Sequence, residues 1–241
     1  DTRGQLWIGT RQGFDIYDPD KNRIKKVEDG LHLNKAGNIS YYFQHLPSGD
    51  YLIVAPGFGL GVLNSDQEEI TMITAAQGLN NTFPSSSIID RKGRIWTGTF
   101  RNGQVELIDL KSKTFKVLTN KDGLIGNIVW GFAEDEQGQI WVGTDLGLNI
   151  INEEENTISH LMKQGEIAEL NSGAFMKDDQ QRLWIGTRSG LLIADQRNGI
   201  LTKFLPENGL VDQAVYTIYE HQGKIYIGTG NGLTVFMPKR D

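Results

Sequence analysis

Residues Gly4 to Thr10 read Gly-Gln-Leu-Trp-Ile-Gly-Thr, and the phrase returns in altered form from residues 49, 93, 138, 181 and 223. The copies are Gly49 to Ala55 (GDYLIVA), Gly93 to Thr99 (GRIWTGT), Gly138 to Thr144 (GQIWVGT), Gln181 to Thr187 (QRLWIGT) and Gly223 to Thr229 (GKIYIGT), with successive spacings of 45, 44, 45, 43 and 42 residues. A period in the low forties filled with β-type residues is that of propeller blades. One slot of the phrase holds Trp7, Trp96, Trp141 and Trp184, with Leu52 and Tyr226 in the remaining copies. A large ring kept at one position of a repeat is read here as packing.

Outward from the phrase, each repeat divides into four short strands, A to D from the axis outward, the phrase being strand B. Strand A precedes it as an apolar run: Ile39 to Phe43, Ser87 to Asp90, Ile128 to Ala133, Ala174 to Met176 and Val215 to Tyr219. A short apolar run bounded by turn residues suits a strand buried on both faces between neighbouring blades. The A–B and B–C turns carry Gly, Asn or Asp, which adopt the backbone angles of tight hairpins at low cost. Strand C follows, then an edge strand D bearing Lys25, Lys26, Lys116 or Lys203, charges that discourage pairing between sheet edges. Gly-Leu marks the crossing back to the axis at Gly30, Gly78, Gly123 and Gly209, and the fourth repeat has Gln164-Gly165-Glu166 instead. The pattern amounts to 22 strands, with three each in the first and last repeats. The expectation is an all-β fold: one β-propeller domain, or part of one, over residues 1–241, with about five and a half four-stranded antiparallel blades excerpted from a longer chain.

Composition agrees with one module. At 38% apolar residues the chain can bury a large core, and 29 glycines against six prolines suit many tight turns. The net charge of −6, with both signs interspersed, leaves no basic stripe for nucleic acid. No apolar run approaches the roughly 20 residues of a membrane-spanning helix, so no membrane contact is expected of this segment. With no cysteine, disulfides, thiolate metal sites and a cysteine nucleophile are excluded. His32, His45, His160 and His221 occupy different repeat positions without metal-ligand spacing. No metal, cofactor or catalytic residue is therefore expected. The acid pairs Glu134-Asp135 and Asp178-Asp179 fall in A–B turns, where they are read as solvated charges rather than a glycosidase pair.

The clearest copy, Asp122 to Ile151 (DGLIGNIVWGFAEDEQGQIWVGTDLGLNII), resembles the two-component regulator propeller repeat. That repeat runs from Gly-Leu through an inner strand to Asp-x-x-Gly-x-Leu-Trp-Ile-Gly-Thr and a second Gly-Leu turn. The resemblance extends over essentially the whole chain, and neither the Trp-Asp ending of WD40 blades nor the double glycine of kelch repeats recurs. It weakens in the second repeat (YLIVAPGFGLG) and at the crossing of the fourth. The resemblance implies part of a seven-bladed propeller in the periplasmic sensor region of a Bacteroidetes hybrid histidine kinase. It further implies an oligosaccharide ligand, a neighbouring propeller and an immunoglobulin-like domain in the same chain, and a homodimer. The kinase would belong to the parent chain, and this segment would not be an enzyme.

In a propeller, the loops crossing into strand A and the B–C turns share one rim near the axis. Arg11, Arg101 and Arg188 follow the Gly-Thr of blades one, three and five within two residues. Three guanidiniums around one mouth suit carboxylates or sulfates held by bidentate hydrogen bonds, and equally suit solvated rim charges. Asn38, Asn127, Trp130, Asp212 and Tyr216 in the crossings, with Asp145 in a B–C turn, supply the aromatic faces and planar polar partners by which sugars are held. The plainer reading makes Trp130 core packing and the asparagines turn caps. Phe58, in the Pro56-Gly57-Phe58-Gly59 segment that replaces the usual turn of blade two, puts an aromatic at the same rim. Three functions follow: an oligosaccharide-recognition module, acidic in preference if the arginines hold the ligand; a scaffold or dimerisation propeller without its own site; and a propeller enzyme similar to streptogramin lyases, which would need a metal and a histidine base at the channel.

Overall fold

A computed structural model describes residues 4–10, 13–27, 42–55, 59–64, 69–80, 83–162, 174–195 and 200–238. They form six small antiparallel sheets, each a meander whose strands pair only with their sequence neighbours. The first holds β1 (Leu6–Thr10), β2 (Gly13–Asp18) and β3 (Arg23–Val27). The second holds β4 (Tyr42–His45), β5 (Tyr51–Ala55), β6 (Gly59–Asn64) and β7 (Glu69–Ile73), and the third β8 (Pro84–Ile89), β9 (Ile95–Thr99), β10 (Val105–Asp109) and β11 (Thr114–Leu118). The fourth holds β12 (Val129–Glu134), β13 (Ile140–Thr144), β14 (Gly147–Asn152) and β15 (Thr157–Met162), and the fifth β16 (Phe175–Lys177), β17 (Arg182–Thr187), β18 (Gly190–Asp195) and β19 (Ile200–Phe204). The sixth has β20 (Val215–His221), β21 (Lys224–Thr229) and β22 (Gly232–Phe236). The inner strands β8, β12, β16 and β20 lie against one another in turn, as blades around an axis require. The fold is thus an all-β propeller with six blades of three or four strands among the described residues.

Each interface between blades has its own core, built by the tryptophan slot. Trp96, Val105 and Leu107 of the third blade pack on Phe132, Ile140, Val142 and Ile151 of the fourth. Trp141 and Leu148 meet Leu183, Ile185 and Leu192 of the fifth, whose Trp184 and Leu191 meet Ile225, Ile227 and Phe236 of the sixth. Stability in such an array is a sum over neighbouring blades. The sixth blade's far side leaves Tyr219, Leu233, Val235 and Met237 exposed, and the first blade's leaves Leu6, Ile8 and Ile24 exposed.

Burial corrects one expectation about the strands. The strand most fully buried on both faces is B rather than A: every residue of β9 and β13 is buried, whereas their A partners β8 and β12 leave four and two residues half-buried. Strand B has a strand on either side within its sheet and a neighbouring sheet on each face. Strand A has a free edge turned to the axis.

The glycine of the Gly-Thr phrase has a packing cause. The inner strand of the next blade drops a side chain onto it: a Cβ on Gly98 would stand 2.3 Å from Val129 Cγ1, and one on Gly143 2.2 Å from Phe175 Cζ. Gly143→Ala is expected to cost about 1 to 3 kcal/mol through overpacking. Thermal denaturation should show the loss, and Phe175→Leu in the same chain should recover part of it, because the smaller ring-free side chain vacates the collision.

The A–B turns overturn the reading of Asp135 and Asp178 as solvated, while Asp179 is exposed as expected. Asp90, Asp135 and Asp178 are buried, and each accepts the indole N–H of the tryptophan six residues on, at 2.9, 2.9 and 2.7 Å. Arg94 and Arg182 donate Nε to Asp90 and Asp178 at 2.8 and 2.7 Å and lie over Trp96 and Trp184. Burial works against the charged form of Arg94, but hydrogen bonds to Glu153 and Asp90 outweigh it and hold its pKa above the usual arginine value. The phrase therefore extends upstream to an acid that latches its own blade.

Each Gly-Leu crossing described carries a single turn of 3-10 helix that the strand pattern did not anticipate, at Ala75–Gln77, Asn120–Asp122 and Pro206–Asn208. Gly123 closes one of them at φ 108°, a left-handed conformation that glycine adopts without Cβ strain.

Candidate functional site

The rim formed by the B–C turns and the crossing loops is built by three polar contacts, the first two of which recur from blade to blade. First, the threonine of Gly-Thr staples its turn: the hydroxyls of Thr144, Thr187 and Thr229 donate to the carbonyls of Gly147, Gly190 and Gly232 at 3.0, 2.7 and 2.8 Å. Second, a polar residue in strand C holds the crossing loop above it. Asn80 donates its backbone N–H to Glu106 Oε1 at 2.9 Å, Ile125 to Asn149 Oδ1 at 2.8 Å, and Val211 to Thr234 Oγ1 at 3.0 Å. Glu106 and Asn149 are buried, and burial of such groups is tolerated because they are bonded. Their signal in the sequence is one polar residue inside an otherwise apolar C strand, as in Val105-Glu106-Leu107, and it is missing from β6 and β18. Third, Asp145 Oδ1 accepts the backbone N–H groups of Asn127 and Ile128 at 2.7 and 2.9 Å. Gly103 of the third blade donates to the Asn127 carbonyl at 2.9 Å, so the turn of one blade is docked on the crossing loop of the next.

Over this seam opens a cleft of about 430 Å3 lined by Phe83, Thr99, Phe100, Arg101 and Asn102. Phe83 and Phe100 are 59% and 42% exposed, high values for large apolar rings, and Arg101 is exposed with no ion pair among the described residues. Phe100 meets Trp130 edge to face with ring centroids 6.2 Å apart. Trp130 is half-buried and packs on the core between the fourth and fifth blades, while its indole N–H is buried without a hydrogen-bond partner. It therefore packs the core and backs Phe100, which lines the cleft.

Of the residues expected at this rim from the sequence, Arg101, Asn127, Trp130 and Asp145 come together across blades three and four. Asn127 is exposed, but Asp145 works first as a turn pin. Arg188 stands exposed on the corresponding turn of blade five. Tyr216, 58% exposed, sits with Asp212 over Gly230 on blade six: a Cβ there would lie 3.5 Å from Tyr216 Cε2 and 3.8 Å from Asp212 Oδ2. Among the described residues, no hydrogen bond, ion pair or ring contact joins these outlying residues to the cleft. Arg11, Asn38 and Phe58 lie outside the described residues. Phe83 and Phe100 were passed over in the sequence, where each reads as one more apolar residue beside a strand.

The remaining histidines with described positions do not converge. His45 meets Tyr51, His160 meets the Gly123 carbonyl, and His221 stacks on Tyr219. Among the described residues, no group of three His, Cys, Asp or Glu side chains is placed to hold a metal ion, and no helix is long and apolar enough to cross a membrane.

Residues 123–145 match the family model described as the two component regulator propeller, which bears out the repeat type read from the sequence. No curated protein matches the chain. Among solved structures, the chain is similar to the extracellular domain of the hybrid two component system BT3049 from B. thetaiotaomicron, at 21% identity and a TM-score of 0.81, covering 99% of this chain and 33% of that one. The extracellular domain of BT4673, a hybrid two component system of the same organism, gives 18% identity and a TM-score of 0.77, with 98% and 33% covered. A catalytically inactive histidine-to-alanine variant of virginiamycin B lyase from Staphylococcus aureus, with quinupristin, gives 13% identity and a TM-score of 0.73, with 97% and 76% covered. At these identities the likeness shows the fold. The chain spans about a third of the length of the two-component domains it matches.

Proposed function

We propose that this chain is a ligand-recognition propeller in the periplasmic sensor of a hybrid two-component histidine kinase, and that it binds an oligosaccharide at the rim of B–C turns and crossing loops. The observation that carries the reading is the open cleft at Phe83, Phe100 and Arg101, next to Trp130, on a scaffold pinned by buried hydrogen bonds. Aromatic faces with a few fixed polar partners are what sugar sites are made of. Its likeness to extracellular domains of two-component systems supports the setting. In signalling, the rigid propeller transmits binding only if the ligand has unequal affinity for two arrangements of the receptor. Acidic and neutral oligosaccharides titrated calorimetrically into the protein test the reading. Binding is expected, and it should weaken about tenfold or more in Arg101→Ala, Arg188→Ala or Tyr216→Ala. No heat with any glycan would sink it.

A further inference from the structure

We infer that the cleft over the third blade is a subsite for an anionic sugar, in which Phe83 and Phe100 form the apolar platform and Arg101 binds a ring carboxylate or sulfate. The inference deepens the oligosaccharide reading and rests on it.

Blade three departs from its siblings at both edges of the cleft. Between the Gly-Thr threonine and the glycine that follows, blades four, five and six have two residues each: Asp145-Leu146, Arg188-Ser189 and Gly230-Asn231. Blade three has Phe100-Arg101-Asn102. The longer turn puts Asn102 at φ 72°, a left-handed conformation that asparagine adopts more readily than most residues with a side chain, and it displays Phe100 instead of burying it. Across the cleft, the position five residues after the crossing glycine is half-buried Ile128 in blade four and Ala214 in blade six, but exposed Phe83 in blade three. One exposed apolar ring is ordinary on a protein surface. Two on one cleft, produced by two separate departures from the repeat and flanking a guanidinium without an ion pair among the described residues, are a constructed surface.

The platform is also rigid. Gly103 is fixed to Asn127, Gln104 donates its backbone N–H to Thr99 Oγ1 at 3.2 Å, and Asn80 Nδ2 donates to Gln104 Oε1 at 3.1 Å. A held turn loses little freedom on binding. The polar side chains are one cation, one amide and the Thr99 hydroxyl, which is already bonded to the Arg101 carbonyl, with no acid lining the cleft. Sugar C–H faces lie on aromatic rings, and a guanidinium pairs planar anions bidentately, so the occupant that satisfies every lining residue is a pyranose carrying negative charge.

The test titrates tetragalacturonate, its methyl ester, which has the same rings without charge, and a sulfated carrageenan tetrasaccharide into the parent, Arg101→Gln, Phe100→Leu and Phe83→Leu, each first shown to melt like the parent. The expected result is that tetragalacturonate, the sulfated sugar or both bind while the ester does not. Binding should fall roughly tenfold to a hundredfold in Arg101→Gln, fall in each leucine variant, and weaken as salt is raised. The charged probe that binds decides between carboxylate and sulfate. Equal binding of the ester, or charged-sugar binding indifferent to all three substitutions, overturns the subsite. If it is nevertheless lost in Arg188→Ala or Tyr216→Ala, the oligosaccharide reading stands and only this subsite falls. No binding of any probe overturns the subsite, and the wider glycan titration then decides the broader reading.

Discussion

Asp178→Ala is expected to lower the free energy of unfolding by roughly 3 to 5 kcal/mol, the cost of breaking a buried ion pair by removing one partner. Asp178 Oδ2 accepts the Trp184 indole N–H and Arg182 Nε, both at 2.7 Å, and Oδ1 accepts the backbone N–H groups of Gln180 and Arg182 at 3.0 and 2.9 Å. Truncation strands four donors, of which the indole N–H belongs to a tryptophan with no exposed surface. Each buried donor left without an acceptor costs desolvation that no packing recovers. Chemical denaturation reads the effect as a lowered midpoint at unchanged slope. Asp178→Asn, which keeps one acceptor oxygen, should lose less, and Trp184→Phe should make the alanine substitution cheaper because the two remove one interaction. An Asp178→Ala protein with the parent's midpoint would show that the latch contributes nothing.

Trp141→Ala should be comparably damaging, at roughly 3 to 5 kcal/mol for emptying a core tryptophan site. Trp141 is buried at the interface of blades four and five, among Ala133, Leu148, Leu183, Ile185 and Leu192. Its loss opens a cavity there and also leaves Asp135 without the indole donor. Trp7 holds the same slot in the first blade but is only half-buried, stacked on Tyr51 with centroids 5.5 Å apart. Trp7→Ala is therefore expected to cost clearly less. Equal melting temperatures for Trp141→Ala and the parent would mean that strand B is not where the core is.

Residues of the rim were legible to different degrees. Arg101, Asn127, Trp130 and Asp145 could be assigned to one seam because the turn and crossing positions recur with the repeat. Their partners could not. Asp145, a ligand candidate in the sequence, also pins its turn, through hydrogen bonds to Asn127 and Ile128 that form only when the turn meets the crossing loop. Phe83 and Phe100 looked like strand flanks, since exposure depends on what the neighbouring blade covers.

By itself the amino-acid sequence determined the blade repeat, the order and approximate bounds of its strands, and the hairpins between them. Those follow from local periodicity and from which residues tolerate a tight turn, both properties of a short length of chain. Only the tertiary structure decided that strand B is the most buried, that Asp90, Asp135 and Asp178 are latches rather than solvated acids, and that two phenylalanines flank an arginine in one cleft. Each depends on the face a neighbouring sheet presents, and the free energy of burying a ring or a carboxylate is set by what lies opposite it.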